Sequence, residues 1–540
     1  MPSKTKHETT KSLAQRVAEI LKQRGVQRIF GVPGGGSSLD LIEAAAEQDI
    51  DFVLCRTETG AAIMAAVTGE LTGIPGIVLT GIGPGAASAV NGITYASLER
   101  APIIIFTDAH EVNATEPPHQ IFDQQSLFAP ISKAQQRLTP SDGATSFERL
   151  INLSAAEPPG PVHFDLSAKD ACANSPRSSY DEVETKTDPN PEMIDAAGRL
   201  IRAAERPVMI VGLQCRSSDR ADAANNLVSM LGAPVLATYK AKGVIPDTHP
   251  LYVGLYTGAK LDNTVLTEAD LIIFFGADPI EMIPGDWPHS APVIVISETP
   301  QLAWPFKPKT ELTGSVLKNA RALGIHRNNT AWTKLEIETH RKRLRNAIAI
   351  RKTAGRSPDE IINAVIATAP KNSRLAVDAG AHMFSCMTHW PADRPHDVLK
   401  SNGLSTMGFA IPAALASCLQ EPNRPAIALT GDGGMMMSMA ELSTAVRLGV
   451  NLTVVVMNDA ALSLIDIKQQ RQQRPPLGVR YPREDFANIA RGLGCDAWKV
   501  GALDPLEFAL AEAFEAEGPT LIDATVDPSG YRDQLIALRG

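Results

Sequence analysis

Two acids stand in a pattern that suits a metal–diphosphate site. Asp432 lies in Gly431-Asp432-Gly433-Gly434, just after the apolar run Ala426 to Leu429. Asp459 follows Asn458 at the end of a second apolar run, Leu452 to Met457. Each run reads as a buried strand, and parallel strands deliver both acids to one sheet edge. The glycines let the backbone turn tightly or come close to a ligand. From Met435 to Leu448, apolar residues fall at helical spacing: Met439, Leu442, Ala445 and Val446. A helix starting there aims free N–H groups over the glycines, a favourable place for phosphate. Magnesium suits the set, being a hard ion that takes one or two carboxylates and fills its shell with phosphate oxygens. Without a ligand, the same residues make an ordinary strand–turn–helix of a doubly wound sheet.

The elements that position these acids belong to a long chain. Its 540 residues call for more than one core, and 44% hydrophobic content suffices for packed α/β layers. A net charge of −9 argues against nucleic acid or an anionic membrane as partner. The six cysteines are scattered without a Cys-x-x-Cys pair, which reads as buried reduced thiols of a cytoplasmic protein. The first residues are polar, and no apolar run approaches membrane-spanning length.

Strand and helix patterns alternate along the chain in three α/β blocks of parallel, doubly wound type. The expected domains are 1–175, 190–345 and 355–540, with a Ser-, Pro- and charge-rich linker after Cys172. In the first, strand Arg28 to Val32 leads to Pro33-Gly34-Gly35-Gly36, where Ser37 or Ser38 can cap the next helix. A helix rich in small residues, Gly60 to Leu71, must pack closely on a neighbour. In the second, the first strand turn is Gly212-Leu-Gln-Cys-Arg, which carries no dinucleotide fingerprint. Residues His340 to Arg345 form a basic cluster at helical spacing, read as a solvated helix or, remotely, a contact for phosphate or CoA.

With 24 residues between Gly433 and Asn458, the acidic pattern resembles the Gly-Asp-Gly … Asn-Asn motif of thiamine diphosphate (ThDP) enzymes. Asp459 stands at the second Asn. Gly31-Val-Pro33-Gly34-Gly35 and Gly83-Pro84-Gly85 resemble loops of the acetolactate synthase-like branch. The resemblance implies three domains that bind the pyrimidine, connect, and bind the diphosphate with Mg2+. It implies Asp432, Asp459 and the carbonyl of Ala461 as metal ligands. Gly431, Gly433, Gly434, Pro84, His382, Ser405, Met407 and Leu462 become coenzyme contacts. Met407 would bend the coenzyme, and the Ser405 carbonyl would accept from its amino group. Glu58 matches the catalytic glutamate that hydrogen-bonds the aminopyrimidine. Gln120 falls in the segment with a substrate-side glutamine. His119, where the synthases have Phe, is read as the lone histidine of a pocket loop and a proton shuttle.

The implied activity is decarboxylation of a 2-oxo acid, followed by ligation to a second carbonyl compound. Alternatives are a simple decarboxylase, a 2-hydroxyacyl- or oxalyl-CoA lyase, and a non-catalytic ThDP-binding subunit. FAD is in doubt, because Ala277 to Pro284 lacks the arginines those synthases carry, and Lys468 replaces their selecting Trp. The polar stretch Gln469 to Gly478 reads as a mobile active-site loop. The family arrangement implies a homodimer or homotetramer with active sites at subunit interfaces.

Overall fold

In a computed structural model, the chain forms two compact units, Met1–Glu184 and Thr185–Gly540. The structure describes residues 11–112, 119–181, 188–259, 261–283, 285–300, 303–325, 330–350 and 353–539.

The first unit is built on a six-stranded parallel sheet. In order across the sheet the strands are Asp51–Leu54, Arg28–Val32, Gly76–Thr80, Ile103–Asp108, Pro161–Leu166 and Ala134–Arg137. The strands Gly76–Thr80, Ile103–Asp108 and Pro161–Leu166 are buried along their whole length and largely apolar, because helices cover both faces. Phe106, Phe147 and Phe164 cluster in the core of one face, Phe106 stacked on Phe164 and Phe147 tilted against both. The small-residue helix, Glu58–Thr72, packs on Pro84–Leu98. At their crossing, any side chain on Gly92 would clash with Ala62 and crowd the Thr59 carbonyl. The serines expected to cap the helix after Gly36 do something else. That helix spans Ser37–Ala46, and Gly36 is its N-cap, with no side-chain cap bond. The Ser37 and Ser38 hydroxyls instead donate to Asp108, at the end of a neighbouring strand, 2.8 Å away in each case.

The second unit carries two six-stranded parallel sheets. One orders Tyr252–Leu255, Val235–Ala237, Pro207–Val211, Leu271–Phe275, Val293–Ser297 and Thr310–Thr313. The other orders Val398–Lys400, Arg374–Val377, Ala426–Gly431, Leu452–Asn458, Thr520–Thr525 and Asp496–Val500. Loops at the carboxyl ends of such strands are where ligands bind in open α/β sheets. The basic cluster lies in helix Lys334–Ile348, which buries Ile337, His340, Leu344 and Ile348.

The single helix expected over Met435 to Leu448 is three pieces: Asp432–Ser438, a 3-10 turn at Met439–Glu441, and Leu442–Leu448. The Ser438 hydroxyl bonds back to the Gly434 carbonyl at 3.2 Å, a bond that competes with the helix ladder. The cysteines are free, and five are buried, but Cys172 is exposed. It ends a short helix at the surface and donates to Asp40 at 3.0 Å.

Candidate active site

Strand Ala426–Gly431 lies beside Leu452–Asn458, with Gly431 opposite Met457. That register brings Asp432 and the Asp459 loop together. Asp432 is buried, and its two oxygens are shared out. Oδ1 accepts from Gly433 N–H at 2.7 Å and from the Tyr481 hydroxyl at 2.8 Å. Oδ2 accepts from Ala460 N–H at 2.5 Å and Ala461 N–H at 3.3 Å. Ala460 reaches that geometry with a left-handed φ of 60°, strained for a residue with a side chain. Asp459 accepts from Ser463 Oγ at 2.5 Å. Burial, and then the neighbouring charge of Asp432, push Asp459 up to about 7. Burial raises Asp432 as well, against its hydrogen bond from Tyr481.

Tyr481 was not legible as a site residue. It arrives because the chain returns on itself: Leu462 N–H donates to Val479 O at 2.8 Å, Tyr481 N–H to Ala460 O at 3.3 Å, and Ala461 bridges Arg480. The polar stretch after Gln469 is the exposed end of this excursion, which begins with helix Ser463–Arg471. Lys468 is exposed on that helix.

Around the glycines the fit is close. A side chain on Gly433 would lie 2.7 Å from Leu462 Cδ2, 3.0 Å from Met407 Cε and 3.4 Å from the Tyr481 oxygen. Gly434 approaches Asp378, which collects Phe409 N–H at 2.6 Å, Ala410 N–H at 2.9 Å and the Thr430 hydroxyl at 2.5 Å. Asp378 thus ties the Ser405–Met407 loop to the Gly431–Gly434 loop. Burial pushes it up to about 6. Ser405 is exposed with φ 53°, and its hydroxyl donates to Asn402 O at 2.9 Å. The His382 ring lies against Gly380 and Gly431, and burial lowers it to about 4. Its Nε2 is buried without a hydrogen-bond partner, as is Asn458 Oδ1. Two carboxylates raised by burial, Asp459 also by the charge of Asp432, fit a cation. A neutral imidazole nitrogen left unpaired beside glycine backbone fits an added polar group such as diphosphate.

In the first unit, a cleft of about 460 Å³ opens at the strand ends. Gly34, Gly35, Glu58, Pro84, His110 and Gln120 are among its lining. Glu58 is half-buried at the first turn of its helix, whose N-cap Thr57 accepts from Gly60 N–H at 2.9 Å. Asp108 shapes the floor, accepting from Gly36 N–H at 3.2 Å and Ser38 N–H at 2.7 Å besides the two hydroxyls. Buried Gln124 accepts from Gly83 N–H at 2.9 Å and donates to Asp165 at 2.8 Å, fixing the Gly83-Pro84-Gly85 loop. Gln120 is exposed with φ 58°, its carbonyl pressed against Gly83. His119 is exposed and is not the lone histidine of this region. His110 lines the cleft, with Nε2 2.7 Å from the His119 carbonyl. Sequence spacing hid it because His110 follows a strand that reads as pure core.

At the middle sheet, the Gly212 turn is closed by protein. Leu213 N–H donates to Glu281 at 3.0 Å, Asp278 N–H at 3.2 Å and the Thr238 hydroxyl at 2.5 Å. Burial pushes Glu281 up to about 7.

The fold is of an α/β class with three parallel sheets, whose glycine- and aspartate-bearing loops gather at strand ends. Three family descriptions match in chain order: thiamine pyrophosphate enzyme N-terminal TPP binding domain over 11–127, central domain over 194–322, and C-terminal TPP binding domain over 378–524. The chain belongs to the thiamine diphosphate (pyrophosphate) enzyme family and is a ThDP-dependent enzyme of three α/β domains. It is similar to an acetolactate synthase of Bacillus subtilis, 26% identical over 97% of this chain and 94% of that one. It is also similar to the catabolic acetolactate synthase of Raoultella terrigena, 27% identical over 97% and 96%. A putative thiamine pyrophosphate-containing protein of B. subtilis, YdaP, is 27% identical over 96% and 92%. Among the described residues, no helix is long and apolar enough to cross a membrane.

Proposed function

We propose that the protein decarboxylates a 2-oxo acid and ligates the remaining fragment to a second carbonyl compound, with ThDP and Mg2+ as cofactors. The observation that carries the cofactor reading is the Asp432–Asp459 pair, two raised acids at adjacent strand ends with no cation among their hydrogen-bond partners in the described residues and only the more distant charge of Arg483 acting on Asp459. Full-length similarity to acetolactate synthases supports the ligation outcome.

Bound ThDP would supply a carbon nucleophile, once its carbon acid has lost a proton, and a sink for the electron pair left behind when carbon dioxide departs. This chain's residues do the rest. Asp432, Asp459 and the Ala461 carbonyl hold the cation, with Tyr481 keeping Asp432 in place. His382 and the backbone of Gly431, Gly433 and Gly434 receive the diphosphate. Met407 and Leu462 shape the apolar wall, and the Ser405 carbonyl accepts from an amino group. Glu58 holds a proton on a ring nitrogen, and Pro84 packs beside it. Gln120 orients the substrate, and His119 is the proton shuttle. Glu281 takes the strand-end amide that a nucleotide phosphate would use in a dinucleotide fold, which supports a middle domain without FAD. Each active site combines Glu58 of one protomer with the diphosphate site of its partner, in a dimer or tetramer.

One observation favours a second reading, simple decarboxylation. His110 lines the cleft, and its Nε2 meets the backbone carbonyl of His119, so a second histidine stands beside the loop that carries His119. The test is incubation with ThDP, Mg2+ and pyruvate, following carbon dioxide and products. Acetolactate or acetoin establishes ligation. Acetaldehyde alone overturns it in favour of the second reading.

A further inference from the structure

The basic helix Lys334–Ile348 finds no role in the active site, yet it walls a separate cavity of about 130 Å³. Strand Tyr252–Leu255 forms another wall, and helix Met383–His389 a third. The lining is largely apolar, with Val253, Leu255, Leu344, Ile348, Phe384 and Met387. Its volume is close to the ~150 Å³ of a dry apolar cavity that holds one benzene.

The charged groups of the lining are not equivalent. Lys242 is spent on Asp247 Oδ2 at 2.6 Å, which neutralises that carboxylate, although its Oδ1 is buried with no hydrogen-bond partner among the described residues. Arg341 is spent on the carbonyls of Tyr252, His249 and Pro250 at 2.7, 2.9 and 3.1 Å. Asp262 is spent on Thr257 N–H at 2.7 Å and Ala259 N–H at 3.2 Å. Arg345, one turn from Arg341 on the same helix face, lines the cavity, is an exposed residue, and its side chain makes no ion pair or hydrogen bond among the described residues. An apolar pocket with one uncommitted cation at its side selects an anion on a small hydrocarbon frame.

We propose that this cavity binds a small apolar monocarboxylate of about the size of benzoate, the hydrocarbon against the apolar lining and the carboxylate on Arg345. A guanidinium matches a carboxylate in two parallel hydrogen bonds, and the apolar body supplies the burial. The occupant would touch Phe384, two residues from His382.

The test is calorimetric titration of the full-length protein with benzoate, benzyl alcohol and acetate. One benzoate should bind per chain. Benzyl alcohol lacks the charge and acetate lacks the body, so each should bind at least about tenfold more weakly. Arg345→Gln should weaken benzoate by at least about tenfold, the loss expected for a hydrogen bond to a charged group. The residue is exposed, so the variant folds, and its turnover should match the parent. Absence of benzoate binding overturns the proposal. So does Arg345→Gln with unchanged affinity, which places the benzoate elsewhere.

Discussion

The first and last domains use one device with different surroundings. In each, a buried aspartate at a strand end gathers the N–H and O–H groups of a glycine-bearing loop. Asp108 gathers Gly36, Ser37 and Ser38; Asp378 gathers Phe409, Ala410 and Thr430. Beyond that the two diverge. The first cleft is mostly glycine and apolar backbone, with Glu58 half-buried at its edge. The last domain concentrates Asp378, Asp432 and Asp459, all raised by burial. One region is arranged to direct a single hydrogen bond; the other stores anionic charge that a cation would relieve.

The sharpest way to break this division is Glu58→Gln. Turnover should fall by about 10²–10⁴-fold, the usual worth of a positioned acid–base group. ThDP and Mg2+ should still bind, because their charge is held in the other domain. Calorimetry with ThDP beside the rate assay separates the two, and unchanged turnover would sink the role given to Glu58.

Asp378 tests the other side through stability. Its folded value, about 6, lies above the ordinary 3.8. The folded state therefore holds its proton more tightly, and the stabilisation is full below the ordinary value and lost as pH rises through about 6. The difference is at most about 3 kcal/mol. Asp378→Asn keeps an acceptor for the Phe409 and Ala410 amides and removes the titration. Urea midpoints at pH 4 and 7 should differ less in Asp378→Asn than in the parent. An equal pH dependence in both would show that Asp378 does not store this charge.

Local signals explain how much of this was readable. The strands and helices follow from apolar runs and glycine punctuation, because parallel sheets covered on both faces need them. Asp432, Asp459 and Glu58 were legible because short motifs fix them at strand ends. Tyr481, Asp378, Asp108 and Gln124 were not. Each acts across a sheet edge or a chain reversal, on residues 30 or more positions away in most cases, such as Tyr481 on Asp432. The broken helix after Asp432 was missed for a related reason: Ser438 looks neutral in a periodic pattern, and only the fold shows its hydroxyl turned back on Gly434.

Tyr481 sharpens the comparison at smaller scale. Its hydroxyl fixes one oxygen of Asp432 from outside the acid pair. Tyr481→Phe should weaken Mg2+ about tenfold, the low end for an outer hydrogen-bond partner of a metal ligand. ThDP-saturated titration with Mg2+ measures it, and unchanged affinity would reduce Tyr481 to a packing residue.

The smallest expected signal asks whether the stored charge is real. With Asp459 at about 7, roughly half of the metal-free protein carries that proton at neutral pH. A cation can bind only the carboxylate, so loading must expel the proton, by about half an equivalent at pH 7. The release should grow towards pH 6, where more of Asp459 starts protonated, and vanish towards pH 8. Titration of Mg2+ and ThDP in two buffers of different ionisation enthalpy reads it directly. The coenzyme's own phosphate also titrates, so the comparison is with Asp459→Asn, in which the coenzyme's contribution remains and the protein's is gone. If the two proteins release the same number of protons at each pH, Asp459 enters the cation site already ionised, and the last domain loses the charge reservoir that sets it apart from the first.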